Sequence, residues 1–102
     1  MDKRAAVRVP VRVRAQCRAH GVVVEGLVQD LSRSGLFLRA PQLISQGSSA
    51  ELDLDLPGEP PLRFVAQVVR VDSQGMALRL LGGDENRRSL ANFIMRQHAT
   101  IR

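Results

Sequence analysis

Two short patterns in this chain carry residue types suited to holding phosphates and a purine edge. The first is Arg4-Ala5-Ala6-Val7-Arg8, two arginines four apart, which runs into Val9-Pro10-Val11. The second is Asp30-Leu31-Ser32-Arg33-Ser34-Gly35, a D-x-S-x-x-G turn between two apolar segments. A guanidinium presents a planar fork that grips phosphate oxygens or the N7/O6 edge of guanine bidentately, and it also stacks flat on a purine face. The opposite guanine edge offers N1–H and N2–H donors, for which the Asp30 carboxylate is the natural acceptor. Ser32 either bonds locally to stiffen the turn or reaches the ligand itself. Gly35 permits a positive φ or a close backbone approach. Arg8-Val9-Pro10-Val11-Arg12 repeats the arginine spacing, so Arg12 competes with Arg4 for the first pattern.

Other chemistries lack their residues. The only histidines are His20 and His98 and the only cysteine is Cys17, with no HExxH or CxxC spacing, so no metal site is expected. A lone cysteine also forms no internal disulfide, and Cys17 reads as a small buried hydrophobe on a strand. His20 falls in a turn without the orienting motif that nucleophilic catalysis needs, and no catalytic residue is assigned. Glu51, Asp53 and Asp55 share one face of an alternating segment, where solvent is the expected neighbour. Single-stranded nucleic-acid binders combine a basic groove with aromatic platforms. Here there are three phenylalanines and no tyrosine or tryptophan, and Phe37, Phe64 and Phe93 all read as core. Nonspecific nucleic-acid binding is therefore a minor alternative carried by charge alone.

The elements that must position the two patterns are strands. The chain has 102 residues, the size of one domain. Its net charge is +5, and fourteen of its fifteen basic residues are arginine. A GC-rich genome also produces such a bias, but it does not explain why five arginines fall within residues 4–18. No apolar run is long enough to cross a bilayer and no export signal is evident, so a cytoplasmic location is expected. Val7, Val9, Val11, Val13 and Ala15 alternate with polar residues at the period of a half-buried strand, regular only after Pro10. A turn at His20-Gly21 leads to a second strand over 22–28, interrupted by Glu25 and Gly26. A third strand covers 36–40, a fourth 51–56, a fifth 62–71 and a sixth 76–81. The period then changes. Asp84 is a candidate N-cap, and Leu90, Ala91, Phe93, Ile94 and Met95 form one apolar helix face. The pattern predicts an all-β fold: a six-stranded antiparallel barrel with a C-terminal α-helix, in a single domain. Within it lie a flexible arginine-rich arm over 1–10, the barrel over 11–82 and the helix over 84–98.

RxxxR followed by DxSxxG, in this order and in an all-β chain of this size, resembles the PilZ domain family of bacterial cyclic di-GMP receptors. The likeness runs from about Lys3 to Gln97. It implies that Arg4 and Arg8 hold phosphates and stack on guanine, and that Asp30, Ser32 and Gly35 receive the guanine edge. Arg4 is preferred to Arg12 because the family's second arginine precedes a hydrophobic-Pro-hydrophobic strand start, here Val9-Pro10-Val11. Arg33 sits at a variable motif position and is carried over only as an auxiliary phosphate contact. Lys3 stands where a further basic residue accompanies uptake of a stacked dinucleotide pair, which leaves one or two ligands per chain open. Gly75-Met76-Ala77-Leu78-Arg79-Leu80 departs from the family's Gly-x-Gly-hydrophobic-x-Phe strand at Ala77 and Leu80. The implied function is a non-enzymatic receptor whose arm changes conformation on binding cyclic di-GMP and signals to an unidentified partner protein. The alternative is an adaptor of the same fold without nucleotide binding. No cofactor and no membrane insertion are expected.

Overall fold

The computed structural model describes the backbone of residues 7–101 and the side chains of residues 7–99. Six strands form: β1 (Val9–Ala19), β2 (Val22–Leu31), β3 (Gly35–Arg39), β4 (Ser49–Asp55), β5 (Leu62–Val71) and β6 (Gly75–Leu80). All pairings are antiparallel, and the order β1-β2-β3-β6-β5-β4 closes on itself through β1 and β4. The expected all-β barrel with one C-terminal helix is the observed architecture. Closure satisfies strand edges that an open sheet would present to solvent.

The barrel interior follows the alternation. Val9, Val13, Ala15 and Cys17 of β1 point inward, as do Leu52 and Leu54 of β4 with Leu56 beyond it. Leu62, Phe64, Ala66 and Val68 of β5 complete that wall. The tight β1–β2 turn uses His20 at φ 53° and Gly21 at φ 74°, the left-handed pair that a two-residue hairpin requires.

Several boundaries differ from expectation. β1 starts at Val9, so Val9 and Pro10 belong to the barrel and not to an arm ending at residue 10. Pro10 is accommodated at an irregularity between Pro10 and Val13, where pairing with β2 slips. β2 runs unbroken through Glu25 and Gly26, because the absent side chain of Gly26 lets the Arg39 carbonyl approach. The helix does not begin at Asp84. A 3₁₀ turn covers Asp84–Asn86, and α1 runs over Arg87–Ile101. Gly83, at φ 103°, takes the cap position with no side-chain cap, so Asp84 is not the N-cap. Leu90, Phe93 and Ile94 bury against the barrel, whereas Met95 is 63% exposed and leaves the expected apolar face.

Candidate functional site

The turn between β2 and β3 is built around one hydroxyl. Ser32 is only 1% exposed. Its Oγ accepts from the backbone N–H groups of Ser34 at 3.3 Å and Gly35 at 3.2 Å. It also lies 3.2 Å from the Gly35 carbonyl, to which it can donate, while the Ser32 N–H donates to that same carbonyl at 2.9 Å. Of the two roles open to Ser32, the structure gives the local one. Gly35 likewise resolves to close approach. A side chain there would strike the Leu78 carbonyl of β6, and its φ is not among the positive ones.

Arg8 and Asp30, which 21 residues separate in sequence, meet at the start of β1. The Arg8 Nη1 donates to the Asp30 Oδ1 in an ion pair whose side chains remain 52% and 37% exposed. Plain alternation from Val24 through Val28 would turn Asp30 inward. A bulge between Val28 and Asp30 reverses this, sending Asp30 outward and Leu31 into the core. The same device acts on β5. A bulge between Val68 and Arg70 turns Arg70 outward, although it lies in phase with Leu62, Phe64, Ala66 and Val68.

The register then assembles a row on the outer surface. Asp30 is opposite Phe37, Phe37 opposite Ala77, and Ala77 opposite Arg70. In the adjoining outward row, Gly35 is opposite Arg79, which is opposite Gln67 and whose Nη2 donates to the Gln67 Oε1 at 3.0 Å. The small residues Gly35 and Ala77 leave a depression between these rows. It forms a cleft of about 490 Å³ edged by Arg8, Asp30, Ser34, Phe37, Arg70 and Arg79. Phe37 is thus half-buried on the cleft wall and not in the core, because its register with Asp30 places it outward. Phe64 and Phe93 are core, as expected.

Phe37, Arg70, Ala77 and Arg79 were not candidates from sequence. Period-two alternation gives each strand's faces but not which strands adjoin, and the bulge conceals Arg70 further. Arg33 is exposed and faces a neighbouring cleft of about 520 Å³ that also touches Ser34, Leu80, Arg87 and Arg88. Arg12 is exposed on β1 and is not among the residues edging the Arg8–Asp30 cleft. Lys3 and Arg4 lie outside the described residues.

Elsewhere, the acidic face of β4 does not simply meet solvent. Asp53 accepts from the Arg18 Nη1 at 2.7 Å and the Arg63 Nε at 2.8 Å, and Glu51 accepts from the Arg18 Nη2 at 3.0 Å. The Arg63 bond, reinforced by Arg18, holds the Asp53 carboxyl below its usual range despite some burial. The His20 Nε2 lies 3.3 Å from the Ser48 Oγ on the surface. Among the described residues no three metal-ligating side chains converge. No helix of these residues is long and apolar enough to cross a membrane.

The chain matches the PilZ domain family over residues 2–96. Solved structures that share the fold include these three. The inhibitor of motility MotI/DgrA of Bacillus subtilis aligns with all of this chain at TM-score 0.84 and 21% identity. This chain spans only 54% of that protein's length. The PilZ domain of Escherichia coli YcgR, solved with c-di-GMP, aligns over 99% of this chain and 95% of its own at TM-score 0.79 and 14% identity. The PilZ domain of CeSA from a cellulose-synthesizing bacterium aligns over 87% of this chain and 95% of its own at TM-score 0.69 and 19% identity. No curated protein sequence matches significantly.

Proposed function

This chain belongs to the PilZ domain family, and from that premise we propose that it is a receptor for cyclic di-GMP, acting by binding and not by catalysis. The observation that carries the reading is the meeting of Arg8 and Asp30 in one cleft edged by further arginines. Each half of that ion pair is matched to a different part of a guanine phosphodiester. The carboxylate accepts from guanine N1–H and N2–H, and the guanidinium takes phosphate oxygens or the N7/O6 edge. Exchanging partners is inexpensive, because an exposed ion pair contributes only about 0–1 kcal/mol. Arg70 and Arg79 add positive charge on the far edge, and Phe37 adds an apolar wall.

Arg4, one motif step before Arg8, supplies a second guanidinium in this reading, with Lys3 and Arg33 as auxiliary contacts. Ser32 and Gly35 act by shaping the turn. Three or four charge-assisted bonds of about 1.5–3 kcal/mol each, less the cost of ordering, support roughly micromolar binding. The signal then passes to a second protein.

Isothermal titration with cyclic di-GMP, using GTP and cyclic di-AMP as controls, tests the proposal. The expected result is saturable binding of cyclic di-GMP alone, at least tenfold weaker in Arg8→Ala and Asp30→Ala. A folded protein that takes up no ligand would overturn the receptor reading and leave an adaptor of the same fold. Affinity that collapses with salt and ignores base identity would point instead to nonspecific nucleic-acid binding.

A further inference from the structure

The first residue of α1 is tied to the candidate ligand turn. The Arg87 Nη1 donates to the Arg33 carbonyl at 2.9 Å, and Nη2 donates to the Leu80 carbonyl at 3.2 Å. Its Nε lies 3.5 Å from the Asp84 carboxylate, and its guanidinium carbon sits 6.0 Å from the Phe64 ring centroid. The two carbonyls belong to separate elements, the turn and the end of β6.

Two peptide units of the turn are pinned at each end. The unit between Arg33 and Ser34 has its carbonyl held by Arg87 and its N–H held by the Ser32 Oγ. The unit between Ser34 and Gly35 has its carbonyl held by the Leu80 N–H at 2.9 Å and its N–H held by the same Ser32 Oγ. The Leu80 carbonyl returns to Arg87. The bonds therefore close a ring through Arg87, Arg33, Ser34, Ser32, Gly35 and Leu80. Within each unit the two bonds polarise one another through the shared peptide group, so loosening the bond to the Arg33 carbonyl weakens the one from the Ser34 N–H to Ser32. Only a planar fork with two separated donors spans both carbonyls, which a lysine ammonium does not reproduce.

We infer that Arg87 is a positioning residue for the ligand turn and couples occupancy of that turn to the docking of α1. This rests on the receptor reading above. A ligand held by Asp30 and the turn stiffens the ring, and the ring holds the start of α1. Linkage makes the effect reciprocal, so releasing Arg87 weakens binding.

The test compares the full chain with Arg87→Ala, Arg87→Lys and Arg96→Ala. Arg96 pairs with Glu59 at 2.9 Å on the distal part of the helix and serves as a control for general loosening. Titration with cyclic di-GMP is expected to show affinity falling about tenfold in Arg87→Ala and staying within about twofold in Arg96→Ala. Arg87→Lys is expected to follow Arg87→Ala, and it replaces that variant should the alanine form not fold. Ligand is expected to slow amide exchange in α1 of the wild type but not of the Arg87 variants. Wild-type affinity in Arg87→Ala, or α1 exchange indifferent to saturating ligand, would overturn the coupling. If the wild type itself binds nothing, the receptor reading falls alone. The ring is then judged by the Ser34 and Gly35 amides, expected to exchange faster in Arg87→Ala than in Arg96→Ala; equal rates overturn it.

Discussion

The motif residues divide the labour between holding and facing. Ser32 is buried and spends its hydroxyl on the turn, while Asp30 faces the cleft and Arg8 is its partner. Gly35 belongs to the holding group, since β3 and β6 approach so closely that a methyl would meet the Leu78 carbonyl. Gly35→Ala must push the strands apart, an overpacking cost of about 1–3 kcal/mol. Denaturant unfolding should show that loss, and the variant should also lose cyclic di-GMP binding because the cleft floor is raised. A variant as stable as wild type would mean that β6 gives way freely. The 30–35 turn and its candidate residues were legible in sequence because their pattern is local, but the Arg8–Asp30 ion pair was not, since 21 residues separate the two and only the β1–β2 pairing brings them together. Phe37, Arg70, Ala77 and Arg79 were not, because only cross-strand register brings them to Asp30. Arg87 was invisible for a related reason: its acceptors are backbone carbonyls, which every residue carries and no side-chain pattern marks.

Strands present these residues through two bulges. Six antiparallel strands and a helix were readable from period and turn residues, but the bulges before Asp30 and Arg70 break the period within apolar runs. Strict alternation would bury both charges, so the tertiary cost of an interior charge dictates the bulge that the local pattern does not announce. The acidic face of β4 shows the same limit. Glu51 and Asp53 looked solvent-facing, yet β1 and β5 set Arg18 and Arg63 beside them. This network spans the seam where β4 meets β1 and closes the barrel. Asp53 carries a carboxyl lowered chiefly by its bond to Arg63. A depressed folded pKa means that the folded state sheds its proton more readily than the unfolded chain. Its stabilisation is therefore complete above the ordinary carboxyl value of 3.8 and disappears as pH falls through the lowered value. Asp53→Asn should lower the melting temperature by a few degrees at pH 7, with the gap from wild type closing below about pH 4. A gap that stays constant down to pH 3 would show that the pair contributes nothing through ionisation.

The whole barrel places its one thiol where closure can be monitored. Cys17 is fully buried, opposite Leu52 on the β1–β4 seam and opposite Val24 on β2. Burial raises its pKa from 9.0 to about 11, against a smaller lowering by Arg18. The thiol is therefore protonated and shielded in the native barrel, and a thiol reagent must wait for the seam to open. Because the raised value belongs to the folded state, its contribution is complete below about pH 9 and fades as pH rises toward 11. At pH 8, labelling should thus follow the population of open barrel and not the native ionisation. Cyclic di-GMP, if it binds the closed barrel and not the open chain, reduces that population by the factor 1 + [L]/Kd. Ligand at 100 times Kd should slow Cys17 labelling about 100-fold where opening is global. At the same ligand concentration Arg8→Ala, binding at least tenfold more weakly, should show protection reduced to about tenfold or less relative to its own unliganded rate. Labelling unchanged by ligand in a wild type that binds it would show that the seam opens while the 30–35 turn stays formed. The closed barrel would then not open as one unit, and the cleft would rest on the half of the wall formed by β2, β3 and β6.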